Sequence, residues 1–350
     1  MDAANIWGDV DMSTIKDVAT LAGVSISTVS IIVNGKAEDR KISVETQERV
    51  LAAIRQLNYR PNVSAKKLRN TVNNEYTIAI YWASDYRTNF LSRMISGIQA
   101  EILKHKYPVN IMICPYKNDF LHIEKGLHRS DQFHAAIIAN TSAVDMAYLN
   151  NNTPKIPFVL FNRFSEQYNS VTIDNFLAGE KAANLFIKNG FKDIGMVSYK
   201  DSYLAMSQRS YGFIETCKTN GISIQKKNII ATENSIYGGV VAAESFFKLD
   251  LPPKAIYCDS DSQAQGMLHS LNKNGVKVPK DLAIVTIGMG NSEANQYSMP
   301  PLTVVEIPIE QIAGECINLI IGDLDHKIMS PYHINIDTDL IIRESCPSAY

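Results

Sequence analysis

The sequence predicts a small all-α head followed by a larger α/β body built on parallel sheets. Residues 13–57 carry three short amphipathic helical patterns. From residue 76 onward, apolar β-branched runs alternate with helical ones. Charge divides the chain in the same way. Residues 13–70 hold ten Lys and Arg against five Asp and Glu, while the whole 350-residue chain has a net charge of −2. A basic head on an acidic body suggests a polyanion-binding module, although a solvated helix face gives the same count.

The first helix is predicted in STIKDVATLAG. Thr14 with Asp17 three residues on fits a capping box, and Ile15, Val18, Ala19 and Ala22 form one apolar stripe. Gly23 ends this helix in the left-handed conformation. Ser25 caps a second helix, whose Val29, Ile32 and Val33 face inward and which Gly35 stops. The tight Gly23-Val24-Ser25 connection is that of a helix-turn-helix. A third helix follows Ser43 and buries Val50, Ile54 and Leu57. Ile26, Ser27, Thr28, Ser30, Ile31 and Asn34 remain on the outer face of the second helix, with no charge among them. In a DNA-binding unit of this kind that helix enters the major groove and its outer side chains read base edges. A three-helix scaffold with a harmless polar face shows the same pattern. Beyond Pro61, VSAKKL predicts a helix too short to form alone, with apolar Leu68 among Lys66, Lys67 and Arg69. An apolar wedge among cations is what minor-groove kinking proteins insert between base steps.

In the body, TIAIYW, VNIMIC, HAAIIAN, PFVLFN, DIGMVSY, NIIATE, KAIYCDS and LAIVTIG read as buried parallel strands. MISGIQAEILKH, AGEKAANLFIKNG and SYGFIETCKTNG read as helices between them. Such alternation implies doubly wound sheets that bind ligands beyond the carboxyl ends of their strands. Several functional classes find no support. No apolar run approaches the roughly 18 residues of a membrane span. The acidic start MDAANIWGDVDM has no signal-peptide pattern, and five scattered cysteines without a CxxC pair read as reduced cytoplasmic thiols. No dinucleotide, Walker or HExxH motif is present, and the single GxG of residues 288–290 is weak. DSDSQAQG begins like a calcium loop but has Ser270 where the bidentate Glu belongs. His122, His128 and His134 are six apart, which is not a ligand spacing on a helix. No cofactor, metal site or catalytic set is expected.

TIKDVATLAGVSISTVSIIVNG, ISVETQERVLAAIRQLNYRPN and SAKKL resemble the N-terminus of the lactose/galactose repressor (LacI/GalR) family of bacterial transcription regulators. NSVTIDNFLAGEKAANLFIKNGFKDIGMVS, QRSYGF and PPLTVVEIPIEQIAGECINLI resemble, more loosely, its regulatory domain, which is similar to periplasmic sugar-binding proteins. The resemblance implies an N-terminal extension (1–12), a helix-turn-helix domain (13–60), a hinge helix and linker (61–75), and an effector-binding and dimerisation domain (76–345). It places one lobe at about 76–173 with 303–330 and the other at about 174–302 with 331–345. Crossovers near Asp174, Val304 and Tyr332 would then form the hinge. It also implies contacts to double-stranded operator DNA from Thr14, Ser25, Tyr59, Asn62, Ala65, Lys66 and Leu68, besides the outer face of the second helix. Ile31 stands where many members carry a guanine-binding arginine, KAEDRK (36–41) is longer than the usual link, and Met12 is an alternative initiator.

By the same likeness, Arg209 of QRSYGF falls on the effector-binding arginine, whose plain alternative is an exposed helix arginine. Asn162 falls where many members have a ligand-binding aspartate. Ser260 and Asp261 match an A-N-D segment with serine for asparagine. In GMGN, Gly290 removes a carboxylate that the common GYDD carries, with Asn291 following it. Trp82 and Tyr86, with Tyr81 and Phe161, stand near strand ends, where stacking on a sugar and packing in the core are equally open. Family members that tetramerise carry a C-terminal heptad helix, whereas LIIRESCPSAY follows a strand pattern, so the resemblance implies a homodimer, formed mainly through the body. Arg209 retained while two anions are lost points to a sugar phosphate or sugar acid over an unmodified sugar, with Asp261 as a counterweight. A pure solute-binding protein and an α/β enzyme are the competing classes. The DNA-like head argues against the first, and the absence of a nucleophile–base pair or metal set argues against the second.

Overall fold

The structure, a computed structural model, describes residues 14–33, 37, 39–57, 76–83, 88–105, 108–129, 132–200, 204–325 and 330–348. The chain divides into two compact units, residues 1–71 and 72–350.

In the first unit, α1 (Ile15–Ala22) begins at the predicted capping box. Thr14 Oγ1 accepts from the Asp17 amide, and the Asp17 carboxylate accepts from the Thr14 amide at 2.7 Å. These bonds to Thr14 hold the Asp17 carboxyl below its usual range. Gly23 closes the helix at φ 64°, a conformation that costs glycine little. Ser25 Oγ accepts from the Thr28 amide at 3.1 Å and starts α2 (Ile26–Val33), which is bent by 105° from α1. α3 (Val44–Gln56) follows Ser43, whose Oγ accepts from the Thr46 amide. Val18, Ala19 and Ala22 of α1, Val29 and Ile32 of α2, and Val50 and Ala53 of α3 form the small core, with Ile54 and Leu57 packed against it.

The second unit holds two six-stranded sheets. The first comprises β1 (Tyr76–Ala83), β2 (Val109–Tyr116), β3 (Ala135–Ala139), β4 (Phe158–Phe161), β5 (Asn169–Ile173) and β11 (His333–Ile336), in the order β11-β5-β4-β3-β1-β2. The second comprises β6 (Ile194–Tyr199), β7 (Ile229–Thr232), β8 (Ala255–Cys258), β9 (Ala283–Gly288), β10 (Thr303–Glu306) and β12 (Asp339–Ile341), in the order β12-β10-β9-β8-β6-β7. Every pairing is parallel except β10 with β12. The crossover helices are α4 (Thr88–Ile102), α5 (Ala143–Asn151), α6 (Asn175–Lys188), α7 (Leu204–Thr219), α8 (Ile236–Phe247), α9 (Asp261–Lys273), α10 (Ser292–Gln296) and α11 (Ile309–Leu324). Among the described residues, no single helix is long and apolar enough to cross a membrane.

All eight expected strands form, but β2 and β7, each at the edge of its sheet, are not fully buried: Met112 and Ile113 of β2 are exposed, and in β7 Ile229 and Ile230 are half-buried and Ala231 exposed. The lobe boundaries also need correction. β10, expected in the first lobe, pairs with β9 through Val304↔Thr286 and belongs to the second sheet. β11, expected in the second lobe, pairs with β5 through Ile334↔Val171 and belongs to the first. The chain therefore changes sheets at residue 174, between Glu306 and Ile309, and between Ile336 and Asp339, not near Val304 and Tyr332. The Lys181 ammonium donates to the Thr338 carbonyl and, at 3.2 Å, to its hydroxyl, pinning the last crossing to α6.

The helices that flank the site meet closely. A Cβ on Gly179 of α6 would lie 1.9 Å from the Arg209 carbonyl oxygen, and one on Gly212 of α7 would lie 2.2 Å from that of Phe176. Only glycine at these two points lets α6 and α7 approach so closely, and the first contact is with the backbone of Arg209 itself.

Candidate nucleic-acid interface and ligand cleft

On α2, Ile26 and Ser27 are exposed, and Thr28, Ser30 and Ile31 are half-buried. The outer face of α2 thus presents short, uncharged side chains. Thr14 and Ser25 are exposed, and both serve as helix caps. The Ser25 and Thr28 hydroxyls also meet at 2.9 Å. Asn34, Tyr59, Asn62, Ala65, Lys66, Leu68 and the predicted VSAKKL helix lie outside the described residues.

In the body, candidate residues converge at the carboxyl ends of both sheets. Asn162 ends β4 at φ 51°, a left-handed position that asparagine tolerates better than most residues. Its Oδ1 accepts from Asn175 Nδ2 at 3.1 Å and from the Ile173 amide at 3.4 Å. Asn175, the first residue of α6, accepts in turn from Arg209 Nε at 2.9 Å. Arg209 is 2% exposed and directs Nη1 to Met289 Sδ at 2.9 Å. An unbroken polar chain thus runs from the first sheet, through the crossover at residue 174, to the loop after β9. Arg209 is no exposed helix arginine.

That loop meets Asp261. The Gly290 amide donates to Asp261 Oδ2 at 2.8 Å, Asn295 Nδ2 donates at 2.9 Å, and the Ser262 amide donates to Oδ1 at 3.0 Å. Burial raises the Asp261 pKa, and these bonds oppose the rise. Asp259, before it, is enclosed between α7 and β6: the Ser210 hydroxyl donates at 2.9 Å and the Tyr199 amide at 3.3 Å. Burial pushes its carboxyl up to about 6, against the pull of Ser210, Tyr199 and the Arg209 charge. Glu306, at the end of β10, is also raised by burial, which the Arg93 charge offsets only partly.

The expected positive cleft is therefore corrected. A Cβ on Gly290 would lie 3.0 Å from both Asp261 carboxylate oxygens, so Asp261 fills the place beside Gly290 with a carboxylate of its own. Asp259 and Glu306 add two more acids around Arg209 and Arg93.

Other candidates behave differently. The Ser260 hydroxyl caps α9 and donates to Asn234 Oδ1 at 2.5 Å. Asn291 is exposed and caps α10. Trp82 packs in the core with Phe90 at 5.3 Å, and Phe90 packs edge-on to Phe161. Tyr81 is likewise buried, so packing decides for these aromatics. Tyr86 lies outside the described residues. The sequence reading passed over Asn175, although it stands inside the quoted VTIDNFLAGEK stretch. It also passed over Asn140 and Thr141 at the end of β3, where Asn140 Nδ2 and Thr141 Oγ1 are buried without a hydrogen-bond partner. Buried polar atoms of this kind mark a place where further hydrogen bonds can form. Among the described residues, no group of His, Cys, Asp and Glu is arranged to hold a metal ion.

A helix-turn-helix head and a two-lobed α/β body with a polar seam between the lobes define a class: DNA-binding regulators with a ligand-binding-type body. Comparison with known proteins agrees. The model for bacterial regulatory proteins of the lacI family matches residues 14–62, and that for a periplasmic binding protein-like domain matches residues 183–346. The crystal structure of a LacI family transcription regulator from Clostridium acetobutylicum is 47% identical, covers 77% of this chain and 99% of its own, and superposes with a TM-score of 0.74. The transcriptional repressor CytR of Escherichia coli K12 is 29% identical over 95% of this chain and 96% of its own length. The transcriptional regulator RegA of Clostridium saccharobutylicum is 29% identical over 95% and 99%. The chain belongs to the LacI family and is a transcriptional regulator. Its relatives are named as regulators and repressors, not as enzymes.

Proposed function

We propose that this regulator is a repressor that binds a near-palindromic operator as a homodimer and is released from it, or fixed on it, by an uncharged, hydroxyl-rich ligand between its lobes. The observation that carries the ligand part is the chain Asn162–Asn175–Arg209, which joins both lobes through side-chain amides and a guanidinium. Amides, a guanidinium and carboxylates together supply the donors and acceptors that sugar hydroxyls need. The charge balance favours a neutral sugar over the phosphate or acid suggested by the sequence, because the Asp261 carboxyl stands beside Gly290 in the place of the acid that the sequence had counted as lost. Fold neighbours are in keeping with this class: a regulator from Enterococcus faecium is solved with bound ribose and the regulator CelR with cellobiose, at 20% and 22% identity.

α2 supplies the reading surface. Leu68, outside the described residues, is assigned the minor-groove wedge at the operator centre, paired with its dimer mate. Light scattering should return a dimer at micromolar concentration; a stable monomer contradicts this reading. The ligand is tested by calorimetry of the full chain against matched pairs, ribose with ribose 5-phosphate and glucose with glucose 6-phosphate. Tighter binding of the neutral member, lost in Arg209→Ala, is expected. Preference for the phosphate, or binding undiminished in the variant, overturns the assignment.

A further inference from the structure

Arg93 of α4 reaches from the first lobe into the second, and its five contacts lie on both lobes and on the crossover between them. Nε and Nη2 grip the Glu310 carboxylate of α11 at 2.6 and 2.7 Å, both partners lying in the first lobe. Nη2 also donates to the Ile307 carbonyl, on the crossover itself, at 3.2 Å. Nη1 donates to the Gly290 carbonyl, in the second lobe, at 3.4 Å. The same Nη1 stands 2.8 Å from Glu306 Oε1 at the end of β10. That contact is a single ion pair to one carboxylate oxygen, not a two-oxygen fork.

The two halves of this set differ in strength. The Glu310 fork is bidentate, and although burial works against the charge, Arg93 holds the Glu310 carboxyl below its ordinary range. Glu306 stays above its own, because burial outweighs the help of Arg93 and the nearby Asp261 charge adds to the rise. The guanidinium is thus firmly anchored on the first lobe and weakly held by the second. Backbone packing fixes the anchor: a Cβ on Gly97 would lie 2.2 Å from the Glu310 carbonyl oxygen, so α4 and α11 pack backbone against backbone. On the weak side, the Gly290 carbonyl belongs to the same peptide loop whose amide holds Asp261.

We propose that Arg93 is an interlobe latch and positioning residue: anchored to Glu310, it holds the Gly290 loop and Glu306 of the second lobe against the first. A buried guanidinium that loses one carboxylate must find another partner, so the latch has two discrete states rather than a gradual one. The inference deepens the proposed function, since the loop that Arg93 holds belongs to the proposed ligand site, but its test needs neither DNA nor ligand.

The test uses the full chain with Cys114→Ser, spin labels at Asn151→Cys on α5 and Glu244→Cys on α8, both exposed, and dilution with unlabelled protein so that distances within one protomer are read. Arg93→Gln should add a longer interlobe distance and speed amide exchange across residues 288–296 about tenfold, the size of one hydrogen bond to a charged group. Arg93→Lys, which keeps the charge but cannot fork, should fall between. A parent-like distance distribution and exchange rate in a folded Arg93→Gln protein, with only its melting temperature lowered, overturns the latch. If Arg93→Gln does not fold, Arg93→Lys and Glu306→Gln decide by the same two measurements, and no change in either overturns it.

Discussion

At Asp259, burial and the surrounding hydrogen bonds oppose each other. Its carboxyl, 1% exposed, is held by Ser210 and the Tyr199 amide and titrates at about 6 instead of 3.8. The folded chain therefore binds that proton more tightly than the unfolded one. The group's share of stability is fully present below about pH 4 and is lost as pH rises through about 6, a loss of about 3 kcal/mol. Asp259→Asn should flatten this part of the curve. Urea midpoints at pH 4.5 and 6.5 measure it, and equal slopes for parent and variant contradict the assignment. Ile31, half-buried on α2, carries a second expectation at this scale. Isoleucine cannot donate to guanine O6 and N7 but can touch a thymine methyl. A binding selection should return no required guanine at that half-site position for the parent and one for Ile31→Arg; the same guanine for both contradicts this docking. Local chemistry of this kind was readable in advance. The Thr14–Asp17 box and the turn at Gly23 depend only on neighbours in sequence. The role of Asp261 was not, because it depends on a loop 29 residues away closing over its carboxylate.

At the scale of elements, the strands with apolar runs were legible, whereas β5 (NSVTI), β10 (TVVE), β11 (HINI) and β12 (DLI) mix polar and apolar residues over three to five positions, so no apolar run stands out. Two of these short strands, β10 and β11, also decide where the chain changes sheets, which is why the expected crossings were displaced by a few residues. Helix contacts were equally silent. The α6–α7 approach rests on Gly179 and Gly212, and a glycine inside a helical pattern looks only like a weak helix former. Gly179→Ala should push α6 off α7, lower stability by about 1–3 kcal/mol, and weaken whatever ligand Arg209 holds. Thermal melting paired with calorimetry checks this, and a variant of parental stability and affinity contradicts the close packing.

At the scale of the molecule, the chain forms two compact units, and the proposed function assigns DNA reading to the first and ligand sensing to the second. The head offers an uncharged helix face, and the body offers two sheets joined by three crossings with a polar chain between them. The class of molecule was legible in the head, where the motif is contiguous. The seam in the body was only half legible: Asn162 and Arg209 are 47 positions apart, and the residue joining them, Asn175, has no distinguishing signal of its own. If the ligand biases the lobes and the lobes bias DNA binding, the two equilibria are linked and the linkage is reciprocal. The most direct measurement is operator affinity by fluorescence anisotropy, using the fragment recovered from a genomic binding selection, with and without a saturating amount of the sugar that binds tightest in calorimetry. We expect a change of at least about fivefold, with the sugar's affinity changed by the same factor when operator is saturating. Operator affinity that stays constant at saturating sugar would contradict ligand control by this cleft.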